Sequence, residues 1–284
     1  MKILVLGGTG MAGHTITLYL KEQGHDVIAF SKNKVNFCDN ITGDAKDFNN
    51  LKKIIRDNEF DAVINAIGIL NQDAEDNKSD AVLLNSYLPH FLSDITKHTK
   101  TKIIHMSTDC VFSGKSGGYS EKSFRDGVTF YDRSKALGEL DNNKDLTFRN
   151  SIIGPDMNEK GIGLFNWFMK QEGQINGFTK AIWTGVTTLT LAKAMEQALN
   201  ENLTGLYNLV NNETISKYEL LKLFNKHMKN GEIDIRQNNE FSVDKSLVNT
   251  RTDFAFIVPS YEKMIVEMRE WINSHIELYP HYNN

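Results

Sequence analysis

Lys2-Ile3-Leu4-Val5-Leu6-Gly7-Gly8-Thr9-Gly10-Met11-Ala12-Gly13 is the stretch that decides the fold. Its first part, Ile3 to Leu6, is an apolar run with no polar face, the pattern of a strand covered on both sides. Glycines follow at positions 7, 10 and 13. His14 to Gln23 then carries Ile16, Leu18 and Leu20 before Gly24 stops it, which predicts a helix. Strand, glycine turn and helix in that order is the setting in which such glycines bind a dinucleotide. Gly7 allows the tight turn, Gly10 lets backbone approach a pyrophosphate, and Gly13 lets the helix pack close to the strand. Free N–H groups and the positive dipole end of the helix then face the phosphates. Thr9 and Met11 complete the candidate cofactor residues of the turn. A plain glycine-rich connection is the competing reading.

The pattern repeats outward from there. Asp26 to Phe30 reads as a second strand, ending in Ser31-Lys32-Asn33-Lys34 instead of the acidic residue that suits an NAD ribose. A hydroxyl and lysines suit a 2′-phosphate, so NADP(H) is the expected cofactor and NAD(H) the alternative. Asp44 or Asp47 can cap the helix carrying Leu51, Ile54 and Ile55, and Asp44 is also a candidate to face the adenine. Asp61 to Gly68 is a strand ending in Ala66, Ile67 and Gly68, small enough for a cofactor to lie across. Ala81 to Thr96 is a helix carrying Asn85, and Lys102 to Ser107 the next strand. Strands alternating with helices to about residue 150 predict an α/β, Rossmann-type doubly wound parallel sheet. Ligands bind such sheets beyond the carboxyl ends of the strands, where Ser107, Thr108 and Asp109 fall.

Leu146 to Ile153 reads as one more strand. Beyond it come a helix over residues 161–171, glycine and short β runs over 173–183, and a helix over 187–200. A strand over 205–210 can return to the sheet, and helices follow over 216–229 and 260–276. The expected division is a dinucleotide-binding domain at 1–154, rejoined by 184–210. Residues 155–183 and 211–284 form mainly a smaller, interleaved C-terminal substrate-binding lobe.

The chain has 284 residues, 40% hydrophobic and 24% charged, with a net charge of −4 and a pI near 6.1. That balance argues against coating nucleic acid or lying on a membrane surface. No apolar run is long enough to span a bilayer, and the first residues do not form a signal peptide. Cys38 and Cys110 cannot make a disulfide framework, and no cluster has metal-ligand spacing. A cytoplasmic protein is expected, with no metal site assigned, and with metal assistance and a homodimer left open.

Tyr131 and Lys135 in Tyr131-Asp132-Arg133-Ser134-Lys135 lie one helical turn apart and can point at one ligand. An ammonium beside a phenol favours the phenolate, so Lys135 is expected to lower the Tyr131 pKa and ready it for proton transfer. With the glycine motif and Ser107-Thr108-Asp109, this pair resembles the extended short-chain dehydrogenase/reductase family. Ser107 to Gly114, Tyr119-Ser120-Glu121 and Tyr131 to Glu139 are similar to the dTDP-4-dehydrorhamnose reductase branch.

The resemblance implies reduction of a nucleotide-linked 4-keto-6-deoxy-hexose, the sugar chemistry of surface polysaccharides. Tyr131 would protonate the C4 oxygen, Thr108 with Ser107 would hold that oxygen, and Lys135 would hold the nicotinamide ribose. Ser151 would lie near the nicotinamide. Asp109, Asn166, Trp183 and Thr187 would line the sugar pocket, and Arg251 would meet the diphosphate. Two departures bear on the sugar: Cys110 stands where those reductases carry an aromatic residue, and Ser151-Ile152-Ile153-Gly154 lacks their tryptophan. A UDP-linked 2-acetamido-2,6-dideoxy-4-hexulose is the alternative substrate. Rival readings are a nucleotide-sugar epimerase with tightly bound NAD, and a non-catalytic subunit resembling the methionine adenosyltransferase regulatory subunit. A dehydratase is disfavoured because Cys110, not Glu, follows Asp109.

Overall fold

The computed structural model describes residues 1–282; the last two positions of the expected C-terminal lobe lie outside them. The first half builds the sheet that the sequence predicts. Strands β1 (Lys2–Leu6), β2 (Asp26–Ser31), β3 (Asp39–Thr42), β4 (Ala62–Asn65), β5 (Lys102–Ser107) and β6 (Leu146–Arg149) run parallel. Helices α1 (Met11–Glu22), α2 (Phe48–Asn58), α3 (Asn71–Asp76), α4 (Lys78–Ala81), α5 (Leu88–Thr96) and α6 (Phe130–Leu137) connect them. The chain winds outward in both directions from β1 and β4, so the strand order reverses there and a crevice opens at the carboxyl edge.

The strands are apolar on both faces because both are covered. Ile3 and Val5 pack in the layer of α1, while Leu4 and Leu6 join Leu51, Ile55, Leu88 and Leu92 beneath α2 and α5. The glycine turn has the shape the sequence demands. Gly7 sits at φ +86°, and a Cβ on Gly13 would lie 2.0 Å from the Gly7 carbonyl oxygen, so α1 rests on backbone there.

Two differences from the sequence reading shape the site. The strand expected over 146–153 breaks at Asn150: β6 stays in the main sheet, and β7 (Ser151–Ile153) leaves it to pair with β9 (Gly185–Thr187). The helix expected over 81–96 is not uniform, since Val82–Tyr87 widens into a π-helical turn around Asn85. Of the two aspartates the sequence offers as the cap of α2, Asp47 takes the role, accepting the Asn50 N–H at 3.0 Å.

The second half adds α7 (Leu164–Met169), β8 (Gln174–Trp183), α8 (Thr188–Asn200), β10 (Gly205–Asn208), β11 (Ile215–Ser216), α9 (Lys217–Met228), β12 (Asp234–Asp244) and α10 (Tyr261–Ser274). β10 pairs parallel with β6 as the seventh strand of the main sheet. β11, β8 and β12 make a separate three-stranded sheet. The sequence reading had no strand at β12, whose composition is polar and whose pairing shifts between Asn238 and Ser242. Among the described residues no helix is long and apolar enough to cross a membrane, and no cluster of His, Cys, Asp and Glu is arranged to hold a metal ion.

Residues near position 280 return to the first helix. His14 Nδ1 lies 2.9 Å from the Gly10 carbonyl oxygen and Nε2 2.7 Å from the Tyr279 hydroxyl. A carbonyl only accepts, so Nδ1 carries the proton and Nε2 takes the Tyr279 O–H. Burial pushes the His14 pKa down to about 4, against the Gly10 hydrogen bond, and nearby His275 adds to the fall. The imidazole is therefore neutral when folded. Unfolding lets it take a proton between its unfolded value near 6.5 and about 4, so its neutral state costs stability across that window as pH falls. Lowering the pH from about 6.5 to about 4 should cost on the order of 3 kcal/mol through this residue. Urea titrations across that range should show a shallower pH slope for His14→Gln.

Candidate active site

The carboxyl ends of the parallel strands collect most of the residues singled out in the sequence. Gly7, Thr9, Gly10 and Met11 follow β1, and Ser31 and Lys32 end β2. Asp44 follows β3, Ala66, Ile67 and Gly68 follow β4, and Ser107, Thr108 and Asp109 close β5. At the cofactor edge the Lys32 ammonium is 3.7 Å from the Asp44 carboxylate, both exposed. The buried Ser31 hydroxyl donates to the Asn33 carbonyl at 2.6 Å.

Helix α6 brings in the phenol and the ammonium. A capping box starts it: Thr129 Oγ1 accepts the Asp132 N–H at 3.1 Å, and the Asp132 carboxylate accepts the Thr129 N–H at 3.2 Å. Tyr131 and Lys135 then face the protein side by side and are both buried. Lys135 Nζ donates to the Met106 carbonyl at 2.7 Å and lies 3.4 Å from His105 Nε2. Burial lowers its pKa to about 8, with Glu139 opposing.

This arrangement corrects one expectation. Among the described residues no hydrogen bond joins Lys135 to the phenol, and the Tyr131 pKa is raised, not lowered. Burial is the main cause, the charges of Cys110, Asp109 and Asp132 add to it, and the neighbouring Thr108 hydroxyl opposes. The phenol is thus held protonated, the form a proton donor needs. Thr108 caps the short turn Asp109–Val111, accepting the Cys110 N–H at 3.1 Å and donating to Asp109 Oδ1 at 3.1 Å. Burial also raises the Asp109 carboxyl, against Lys217, Lys245, Thr108 and Ser151.

Ser107 departs from its expected role. Its hydroxyl donates to Glu139 Oε1 at 2.7 Å and is spent there, leaving Thr108 as the hydroxyl beside the phenol. Glu139 also receives Arg149 Nε at 2.7 Å, Arg149 Nη2 at 2.6 Å and Arg125 Nε at 2.7 Å. Burial would raise this carboxyl, but Arg149, Ser107 and Arg125 together hold it below the ordinary value. Asn85, at the π-helical turn, accepts the Ile69 N–H at 2.8 Å and donates to Ser134 Oγ at 3.0 Å, tying the loop after β4 to α6. In the sequence Asn85 and Glu139 look like ordinary helix polar residues, and only tertiary contact reveals them.

A cavity of about 500 Å³ opens beside this floor. Asp109, Cys110 and Ser151 form its base, and Trp183, Ala181, Leu164, Trp167, Phe178, Phe241, Lys217 and Lys245 its walls. Asp109, Trp183 and Ser151 therefore line one cavity. The other two expected pocket residues, Asn166 and Thr187, do not, and neither does Arg251, expected at the diphosphate. Asn166 is buried, donating to the Glu159 and Gly161 carbonyls and accepting from the Tyr282 hydroxyl, so its amide is consumed in fastening a loop. Thr187 is the N-cap of α8, accepting the Thr190 N–H at 3.1 Å. Arg251 forms a bidentate pair with Asp253 and donates to the Thr204 and Leu206 carbonyls, at the amino end of β10 and far along the strand from the site. Lys217, Lys245, Phe178 and Phe241 escaped the sequence reading because they stand on α9 and the small sheet, whose strands carry little periodic signal.

Comparison with known proteins gives the family and the fold. The family described as RmlD substrate binding domain matches residues 1–243. A probable low-salt glycan biosynthesis reductase of Haloferax volcanii is 29% identical over 143 residues, 49% of this chain and 48% of the relative. A dTDP-4-dehydrorhamnose reductase of Burkholderia thailandensis is 32% identical over 142 residues, 49% of this chain and 45% of the relative. The matches thus span about half the length of these curated relatives. A solved dTDP-4-dehydrorhamnose reductase of Bacillus anthracis in complex with NADP has the same fold, at TM-score 0.80 and 19% identity over 94% of this chain and 99% of that one.

The buried pair beneath the site can be tested directly. Arg149→Met removes the fully buried one of the two guanidinium partners of Glu139, leaving Arg125, and should cost about 3 kcal/mol in urea unfolding. Removing both charges, as Glu139→Gln with Arg149→Met, should cost less than the sum of the two single changes.

Proposed function

The chain belongs to the RmlD substrate binding domain family, and from that premise we propose that it is a nicotinamide-dependent reductase of a nucleotide-linked 4-keto-6-deoxy-hexose. The observation that carries this reading is a phenol kept protonated by burial, beside the Thr108 hydroxyl, at the end of β5 and next to a cavity of about 500 Å³. The glycine turn fits a dinucleotide. The space around Gly10 is open, the nearest atom to a Cβ there being the Gly7 oxygen at 3.5 Å, while Gly7 and Gly13 admit no side chain. Bound along that edge, the reduced nicotinamide supplies the hydride.

The residues of the chain supply position and proton. Tyr131 donates its proton to the carbonyl oxygen as that oxygen gains charge, and the Thr108 hydroxyl turns from Asp109 Oδ1 to donate to the same oxygen. Lys135, one turn on and bonded to the Met106 carbonyl, would hold the ribose hydroxyls. The preference for NADPH rests on Lys32 and on the lack of an acidic residue at the end of β2. The 6-deoxy methyl suits the apolar wall formed by Leu164, Trp183 and Leu221.

The test is loss of reduced-nicotinamide absorbance with dTDP-4-keto-6-deoxy-L-hexulose and with its UDP-2-acetamido counterpart, each offered with NADPH and NADH. Oxidation with one of them, faster with NADPH, is the expected result. Folded protein that binds NADPH and oxidises it with neither substrate would refute the proposal. Tyr131→Phe should lower kcat by about 10²–10⁴-fold with NADPH affinity unchanged, whereas Lys135→Ala should lose turnover and cofactor affinity together.

A further inference from the structure

The cavity carries more positive charge than it can balance. Its charged lining residues are the Asp109 carboxylate and the ammonium groups of Lys217 and Lys245. Among the described residues neither ammonium makes a hydrogen bond or an ion pair, and the Lys217 Nζ instead lies 5.2 Å from the centroid of the Trp183 ring. Burial lowers the Lys217 pKa to about 8, with Asp109 and Cys110 opposing. An ammonium in an apolar-walled cavity is costly unless a counter-charge arrives.

Both lysines are held in place by built structure. Lys217 opens α9 directly after its cap, where Ser216 Oγ accepts the Glu219 N–H at 3.1 Å. Lys245 follows β12, with the Asp244 N–H on the Gly114 carbonyl at 2.9 Å and the Ser246 N–H on the Asp244 carboxylate at 2.9 Å. The Lys245 stem crosses Gly114 so closely that a Cβ there would be 2.9 Å from its Cγ. The two side chains thus approach one space from different elements, with the aromatic faces of Trp167, Phe178 and Phe241 around them.

We propose that Lys217 and Lys245 are the diphosphate-binding pair of this cavity, and that the aromatic wall beyond them takes the nucleoside base. The inference rests on the reading of the cavity as a sugar-nucleotide site, and it moves the diphosphate contact from Arg251 to these lysines. A diphosphate supplies the missing counter-charge at two ammonium groups, and flat aromatic faces suit a planar base. The keto sugar then extends toward Asp109 and Cys110, with the diphosphate on its far side from the reacting carbon.

Isothermal titration of the full chain tests this, using dTDP, UDP, inorganic pyrophosphate, thymidine and uridine as titrants, with NADPH titrated separately. A nucleoside diphosphate should bind at least tenfold more tightly than its nucleoside. Lys217→Gln and Lys245→Gln should each weaken it by about tenfold or more, with NADPH affinity unchanged as the check on folding. Lys217→Arg should restore most of the loss.

Nucleoside diphosphate affinity that is equal in wild type and both glutamine variants would overturn the proposal, as would a wild type that binds none. If binding behaves as expected but no keto sugar is reduced, the lysine pair stands and the reductase reading fails. If keto sugar is reduced with KM unchanged in both variants, the reductase reading stands and the lysine pair fails.

Discussion

One buried ion pair carries the geometry beneath the site. Arg149, fully buried in β6, meets Glu139 through two hydrogen bonds, and its guanidinium lies 5.0 Å from the centroid of Phe112, itself stacked on Tyr119. Glu139 fixes Ser107 at the end of β5. Asn208 on β10 reaches Arg149, Glu121 and the backbone of Tyr119 and Val248. One charged cluster therefore joins β5, β6, β10, the segment after α6 and the strap over residues 119–121. A charge so deep is tolerable only because every partner is present. Thr108 and Tyr131 take their places from a framework that has little freedom to shift.

The sequence revealed the half of the protein in which local chemistry and tertiary role coincide. Ile3 to Leu6 must be buried on both faces, and Gly7, Gly10 and Gly13 have no ordinary use other than close backbone approach, so strand, turn and helix were legible without a fold. Tyr131 and Lys135 were legible as a pair because helical spacing alone sets them side by side. What the pair does to its own titration was not. The desolvation that raises the Tyr131 phenol comes from a buried environment to which distant parts of the chain contribute, and the Met106 carbonyl that takes the Lys135 ammonium belongs to another strand.

The remaining misses share a cause. Asn166, Thr187 and Arg251 are polar residues in plausible places, and each is absorbed by backbone or a neighbouring carboxylate. Ser107 likewise spends its hydroxyl on Glu139. Residue type announces hydrogen-bonding capacity but not where that capacity is spent, which depends on partners far along the chain. Lys217 and Lys245 are the converse case. They look like solvated lysines in the sequence, and only the meeting of α9 with the end of β12 turns them toward a common space.

The contact between His14 and Tyr279 joins residues 265 positions apart. During synthesis the histidine that grips the Gly10 carbonyl lacks the Tyr279 hydroxyl until 265 further residues have been added. The glycine turn therefore reaches its final form only after the segments that enclose the cavity, which lie between these two residues, have been translated.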